Sequence, residues 1–257
     1  MLFQSDGAAD PSFTANTITT SADRALSVYA ADIDNDGDID VLSASSDDDK
    51  IAWYESDGAA DPSFTAQTIS TSADGAQSVY AADIDNDGDI DVLSASQSDD
   101  KIAWYESDGA ADPSFTARTI TASADGAHSV YAADIDNDGD MDVLSAAYTG
   151  DEIAWHENDG ASDPSFTART IATSVDRARF PYAADIDSDG DMDILFAATV
   201  DDKIAWHENG VDNVAPTITG VSLAADNASI AVTMSEAVYN TNGGSGNLEA
   251  ADFSLTL

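Results

Sequence analysis

The sequence predicts an all-β protein: a β-propeller of about four four-stranded blades, part of a larger propeller, followed by a partial β-sandwich. Three observations predict it. Asp-Ile-Asp-Asn-Asp-Gly-Asp-Ile-Asp begins at Asp32 and Asp83, with variants beginning at Asp134 and Asp185, so successive copies lie 51 residues apart. Trp53, Trp104, Trp155 and Trp206 keep the same interval, as do Phe13, Phe64, Phe115 and Phe166 in Asp-Pro-Ser-Phe-Thr. A period that long exceeds the common helical and leucine-rich repeats and falls in the range of propeller blades when the unit reads as strands.

Each unit reads as four short strands, rich in β-branched and aromatic residues and bounded by Asp, Gly, Ser and Pro clusters. In the first unit they span 27–33, 40–45, 50–55 and 64–70. Alternation places Val28 and Ala30 on one face of the first strand and Tyr29, Ala31 and Ile33 on the other; in the third, Ile51 and Trp53 oppose Ala52 and Tyr54. Both faces are apolar. A sheet covered on both sides, with alanines where its neighbour comes close, suits radially packed blades.

The ends of the array carry information. The first three strand types occur complete four times, from Ser27, Ser78, Ser129 and Phe180, while the first copy of the Phe-Thr strand, at 13–19, precedes every other set. The last set therefore lacks its outer strand. Either the N-terminal copy closes a four-bladed ring by pairing with the last blade, or the array is a segment of a larger propeller. Leu2-Phe3-Gln4-Ser5 aligns with Trp53-Tyr54-Glu55-Ser56 as a third-strand remnant, surplus to a closed four-blade ring, and favours the segment. The repeats are assigned to 1–209, a linker to 210–216 and a truncated immunoglobulin-like sandwich to 217–257. In that tail Ile-Thr-Gly-Val-Ser-Leu, Ser-Ile-Ala-Val-Thr-Met and Phe-Ser-Leu-Thr-Leu read as strands. Only 47 residues follow Gly210, against the roughly 100 of a complete sandwich.

Composition narrows the function. The chain has 257 residues, 50 Asp+Glu against 8 Lys+Arg, a formal charge of −42, no cysteine and 43% hydrophobic residues. So negative a surface repels phosphate backbones and anionic headgroups, which excludes nucleic acid and acidic membranes as default partners. The lack of cysteine removes disulfide scaffolds, thiol catalysis and cysteine-based metal sites. No apolar run approaches the roughly 20 residues that span a bilayer, so membrane insertion is not expected. Met1-Leu-Phe-Gln reads as structure, not as a leader.

The acidic nonapeptide carries the chemistry. Its carboxylates stand at positions 1, 3, 5, 7 and 9, with glycine at 6 to permit a sharp turn: Asp32, Asp34, Asp36, Asp38 and Asp40 in the first copy. The other copies are Asp83, Asp85, Asp87, Asp89 and Asp91; Asp134, Asp136, Asp138, Asp140 and Asp142; and Asp185, Asp187, Asp189, Asp191 and Asp193. Hard oxygen donors in that number suit calcium, about four ions in all, whereas magnesium takes fewer protein ligands and transition metals prefer nitrogen or sulfur. Side chains 1, 3, 5 and 9 and the backbone carbonyl of position 7 are the expected ligands. Without a cation the carboxylates would repel and raise one another's pKa. The loop is not an EF-hand: position 12 is Ser43, Ser94, Ser145 or Phe196, where that motif has Glu, and strands flank it instead of helices.

The Asp-x-Asp-x-Asp-Gly-Asp-x-Asp hairpin, followed by Val-Leu-Ser-Ala and Lys-Ile-Ala-Trp-Tyr-Glu, resembles the FG-GAP/VCBS repeats of bacterial secreted proteins, which are related to the blades of the integrin α-subunit propeller. The resemblance covers residues 1 to about 209. It implies an extracellular, calcium-stabilised propeller used in adhesion or in carbohydrate or protein binding, or attached to a secreted enzyme, and it implies the same aspartates as ligands. Gly-Ala-Ala-Asp-Pro at 7–11 departs from the Phe-Gly/Gly-Ala-Pro signature of the family. The tail from Ala215 resembles the bacterial immunoglobulin-like domains that follow such arrays.

Catalysis by paired carboxylates is disfavoured, because nearly every acid has equivalents in the same structural position, as with Glu55, Glu106, Glu157 and Glu208. His156 and His207 replace tyrosines within a strand and His128 replaces Gln77, and none is assigned a catalytic role. The tryptophans read as inter-blade core, not as sugar platforms. Positions that vary inside the constant frame are the candidates for recognition: Leu26, Gln77, His128 and Arg179, with the tips Ser46-Asp47, Gln97-Ser98, Tyr148-Thr149 and Thr199-Val200. The expectation is a non-catalytic, monomeric module of a longer chain that binds carbohydrate or extracellular protein. The alternatives are a structural spacer and an accessory domain of a secreted polysaccharide-degrading enzyme.

Overall fold

The structure, a computed structural model, describes residues 2–5, 13–210, 218–223 and 230–234, with side-chain environments for 14–210. The chain divides into two units, Met1–Val211 and Asp212–Leu257. All described regular structure is β, and no helix is long and apolar enough to cross a membrane.

The first unit opens with β1 (Leu2–Ser5) and β2 (Phe13–Asn16) and continues as four antiparallel meanders. The first comprises β3 (Ala25–Ala31), β4 (Asp40–Ser45), β5 (Lys50–Ser56) and β6 (Phe64–Ser70). The second is β7 (Ala76–Ala82), β8 (Asp91–Ser96), β9 (Lys101–Ser107) and β10 (Phe115–Thr121). The third is β11 (Ala127–Ala133), β12 (Asp142–Ala147), β13 (Glu152–Asn158) and β14 (Phe166–Thr173). The last has three strands, β15 (Ala178–Ala184), β16 (Asp193–Ala198) and β17 (Lys203–His207). Strand order follows the sequence in every sheet, the meander of a propeller blade. The second and fourth strands of the first unit lie where the sequence places them. The first strand ends at Ala31, two residues early, so Ile33 belongs to the acidic loop, yet it is only 1% exposed because the loop folds it back into the core.

Consecutive blades meet through their inner strands, β3 on β7, β7 on β11 and β11 on β15. Tyr29, Tyr80, Tyr131 and Tyr182 recur on those strands and form a ladder with ring centroids 4.5, 5.0 and 4.9 Å apart. Trp53 and Trp104 are each 1% exposed and stand edge-on to Phe115 and Phe166 on the outer strand of the following blade, with centroids 6.5 and 6.4 Å apart. Burying one such indole removes roughly 150–250 Å² from water, about 4–6 kcal/mol at 25 cal/mol per Å². Ala44, Ala95 and Ala146 are fully buried. A larger side chain at these sites would force neighbouring atoms apart in a close-packed interior.

Coverage on both faces holds for the middle sheets and fails at the ends. Val79 is 3% exposed but its equivalent Val28 is 71% exposed, and Ile204 is 85% exposed where Ile51 is fully buried. At the N-terminus Ser5 pairs with Phe13 and Leu2 with Asn16, the same register as Ser56 with Phe64. The first Phe-Thr strand thus pairs with the third-strand remnant and not with β17. In the second unit β18 (Ile218–Leu223) and β19 (Ile230–Met234) pair antiparallel. Phe-Ser-Leu-Thr-Leu and the linker from 211 lie outside the described residues.

Candidate metal centres

Each acidic loop joins the first strand of a blade to the second, and its hydrogen bonds explain its shape. In the first copy Asp32 Oδ1 accepts from the Asp36 N–H at 3.1 Å and Oδ2 from the Gly37 N–H at 3.0 Å. Asp34 Oδ1 accepts the Asp36 N–H at 3.3 Å, and Asp36 Oδ1 accepts the Asp38 N–H at 2.9 Å. The carboxylates wind the backbone around themselves. Gly37, at φ 96°, and Asn35, at φ 58°, supply the left-handed residues that this winding needs.

Position 9 is the anchor. Asp40 is 1% exposed; its Oδ2 accepts the Ile33 N–H at 3.2 Å and its Oδ1 the Ser56 N–H at 2.7 Å. One side chain thereby ties the loop to the end of the third strand. The arrangement repeats at Asp91, Asp142 and Asp193.

Carboxylate oxygens within 4.8 Å of one another gather at Asp32, Asp34 and Asp36 in the first loop and at positions 1, 3 and 9 in the others. Those are Asp83, Asp85 and Asp91; Asp134, Asp136 and Asp142; and Asp185, Asp187 and Asp193. Position 5 joins the group only in the first loop, and position 9 only in the other three. The position-7 side chains stand apart. Asp38, Asp89 and Asp140 place a carboxylate oxygen about where a Cβ on Gly58, Gly109 or Gly160 would lie, 2.0, 1.9 and 2.0 Å from it. With its side chain turned away, position 7 has its backbone carbonyl to offer.

The electrostatics fit a cation. Burial first, and the position-5 carboxylate second, push Asp34, Asp85 and Asp136 above the ordinary carboxylate range. Burial raises Asp91 to about 7 and Asp142 to about 6, against the lowering effect of the backbone N–H groups that they accept. Held this close, these groups share protons unless a positive charge holds them ionised.

Two recurring features around the loops escaped the sequence reading. Asp57 accepts the Ala59 and Ser63 N–H groups at 3.2 and 3.1 Å and the Ser63 hydroxyl at 2.5 Å, which closes the third-to-fourth-strand loop and holds its carboxyl below the usual range. Asp108 and Asp159 do the same. The signal was present in the 51-residue recurrence of the aspartate before each glycine and of the serine after each proline. The loops are also strung together: Asn35 Nδ2 donates to the Gly88 carbonyl at 3.4 Å, and Asn86 Nδ2 to Asp140 Oδ1 at 2.8 Å. Asn137 continues the string to the Gly190 carbonyl at 3.2 Å, and Ser188 takes the asparagine position in the last loop.

The histidines replacing tyrosines are accounted for by packing. His156 is buried, its Nε2 2.9 Å from Ser145 Oγ, where Tyr54 and Tyr105 hydroxyls meet Ser43 and Ser94; burial lowers its pKa to about 4. His207 stacks on Phe196.

A family model described as FG-GAP-like repeat matches residues 32–94, 83–145 and 134–196. Similar solved structures include virginiamycin B lyase from Staphylococcus aureus, at 13% identity over 82% of this chain and 63% of that one, with a TM-score of 0.47. An Agrocybe aegerita lectin that recognises non-reducing terminal N-acetylglucosamine is 14% identical over 76% of this chain and 68% of that one, with a TM-score of 0.41. A protein from Lactobacillus plantarum is 14% identical over 82% and 64%, with a TM-score of 0.44. The chain thus spans less than two thirds of the length of the first of these. No curated protein matches.

Proposed function

The chain belongs to the FG-GAP-like repeat family, and we propose that it is an extracellular, calcium-binding propeller module that presents a rigid surface for adhesion or ligand binding and performs no catalysis. The observation that carries the reading is the recurrence of one built cluster. Four times the aspartates at positions 1 and 3 converge within 4.8 Å with a third, position 5 in the first loop and position 9 in the others, and four times a position-9 carboxylate is fixed by two backbone N–H groups. Oxygen-only donors, without nitrogen or sulfur, suit calcium. Positions 1, 3, 5 and 9 and the position-7 carbonyl would hold it, and its charge would offset the burial that raises Asp91 and Asp142.

The role is structural. At millimolar calcium and a dissociation constant of roughly 10⁻⁴ to 10⁻³ M, each site adds about 0.5 to 1.4 kcal/mol. Four ions bring the formal charge from −42 only to −34, and the remaining acids serve solubility. Metal locks the loop that connects the inner strand to the next one, so recognition loops sit on a fixed frame. Thermal melts of chelator-stripped protein test this: the midpoint rises with calcium and rises less with equal magnesium. A midpoint indifferent to calcium contradicts it.

A further inference from the structure

The four frame-breaking positions Leu26, Gln77, His128 and Arg179 come from four different blades, yet all of them line one cavity of about 300 Å³ at the start of the inner strands. The variable tips reach the same place. Gln77 Nε2 donates to Gln97 Oε1 at 3.3 Å, and His128 stacks on Tyr148 with centroids 5.6 Å apart. In the second and third blades the variable strand start thus contacts its own variable tip, and in the fourth Arg179 reaches the third blade's tip at Tyr148.

Charge concentrates there too. The chain has eight Lys+Arg, and Arg24 and Arg179 line the cavity while the guanidinium of Arg177 lies 5.3 Å from the Tyr148 ring centroid. Arg179 stacks on that ring at 4.9 Å, and its buried Nε has no hydrogen-bond partner among the described residues. Arg24 meets Asp47 only through an exposed contact of 3.3 Å.

The backbone is strained at the same residues. Arg24 and Arg177 sit at φ 54° and 58°, where the middle blades carry Gly75 and Gly126, both at 66°. Phe180 replaces the serine of the other blades at φ 49° and leaves its ring 65% exposed on the cavity wall. A side chain in the left-handed region costs about 1–2 kcal/mol, and such strain persists where a particular side chain is needed.

Polar groups complete the lining. Ser27 and Ser78 each accept one backbone N–H from the next blade, at 3.3 and 3.4 Å, which leaves their hydroxyl protons to donate. Gln77 uses its amide nitrogen on Gly75 and Gln97 and keeps its carbonyl oxygen as an acceptor. Burial and the Arg179 charge keep the His128 ring neutral.

We propose that this cavity binds a hydroxylated monocarboxylate, the chemistry of an acidic monosaccharide, with Arg179 and Arg24 on the carboxylate and Ser27, Ser78 and Gln77 on the hydroxyls. Guanidinium forks match carboxylates in geometry, and the exposed Phe180 ring gives a sugar face a surface to lie on. A polyanion is disfavoured by the surrounding field of a chain at −42, which a single carboxylate meets only locally. The proposal rests on reading the chain as a ligand-binding module and names the ligand class.

The test is a calorimetric titration of the calcium-equilibrated chain with D-glucuronate, D-galacturonate and, for reference, D-glucose. At least one uronate binds saturably and glucose does not; Arg179→Gln weakens binding about tenfold or more. Arg24→Gln, at a solvent-exposed side chain, keeps the fold and also weakens it. Failure of both uronates to bind, unchanged binding in both variants, or equal binding of glucose overturns the proposal. Melts of the same samples with and without calcium separate the two readings. A calcium-dependent melt without uronate binding removes the cavity proposal alone; uronate binding with a calcium-independent melt removes the calcium scaffold alone.

Discussion

Stripping calcium and raising the pH should weaken this fold, and the size of the effect can be worked from two side chains. Asp91 and Asp142 are each 1% exposed, and burial lifts them to about 7 and about 6. An unfolded aspartate titrates near 3.9, so between that value and the folded pKa the folded state holds a proton that the unfolded state has released. Stability is therefore greatest at low pH and is lost as pH rises, until the folded groups ionise. Between pH 5 and 8 Asp91 contributes about two units of difference and Asp142 about one, which at 1.36 kcal/mol per unit is about 4 kcal/mol. For a unit of this size that corresponds to a fall of roughly 8–16 °C in melting temperature. Asp57, Asp108 and Asp159, with lowered pKa values, act in the opposite sense, but the stability they give is already present by pH 5 and does not change across the window.

The assay is a set of thermal melts in chelator from pH 5 to 8, repeated in excess calcium and in Asp91→Asn. Bound calcium should hold both carboxylates ionised and flatten the dependence. Asp91→Asn removes a large part of it, which separates this local cause from general repulsion among the acids. A chelated midpoint that stays level or rises with pH would refute the reasoning, as would an unchanged slope in the variant.

Trp104→Ala should cost about 3–5 kcal/mol, read by denaturant unfolding, because it empties the contact with Phe166, whereas Trp206→Ala, at a ring 42% exposed, should cost far less. Gly109→Ala should destabilise by about 1 kcal/mol or more and displace Asp89, since φ is 63° and the new Cβ would lie 1.9 Å from that carboxylate; urea midpoints check it. Asn86→Ala breaks the link to Asp140 and should weaken calcium binding at the third loop by up to about tenfold, measured by calorimetry, with the first loop unaffected.

The legible parts of this molecule were those that repetition exposes. Alternation in Asp-Val-Leu-Ser-Ala-Ser and the 51-residue recurrence of Trp53 and Phe64 were enough to place strands, sheet order and the inter-blade core. Spacing gave the loops and the convergence of positions 1 and 3, but not the outward turn of Asp38, Asp89 and Asp140 or the backbone anchoring of position 9. What alternation could not supply was direction. Ile33 looks like strand and is loop, because the turn begins before the apolar run ends. Val28 and Ile204 look buried and are exposed, since burial there depends on a neighbouring blade and not on the residue itself. Asp57 was visible as a repeat but not as a carboxylate capping two backbone N–H groups. The meeting of Leu26, Gln77, His128 and Arg179 at one cavity needs the radial placement of blades, which no local pattern encodes.

The central claim is that each acidic loop holds one calcium ion, and counting ions tests it most directly. Calorimetric titration of chelator-stripped chain should give a stoichiometry near four, falling by one in Asp83→Asn/Asp85→Asn and by two when Asp134 and Asp136 are replaced as well. Non-saturating binding, or a stoichiometry indifferent to these substitutions, would contradict it and leave the acids as a solvated surface.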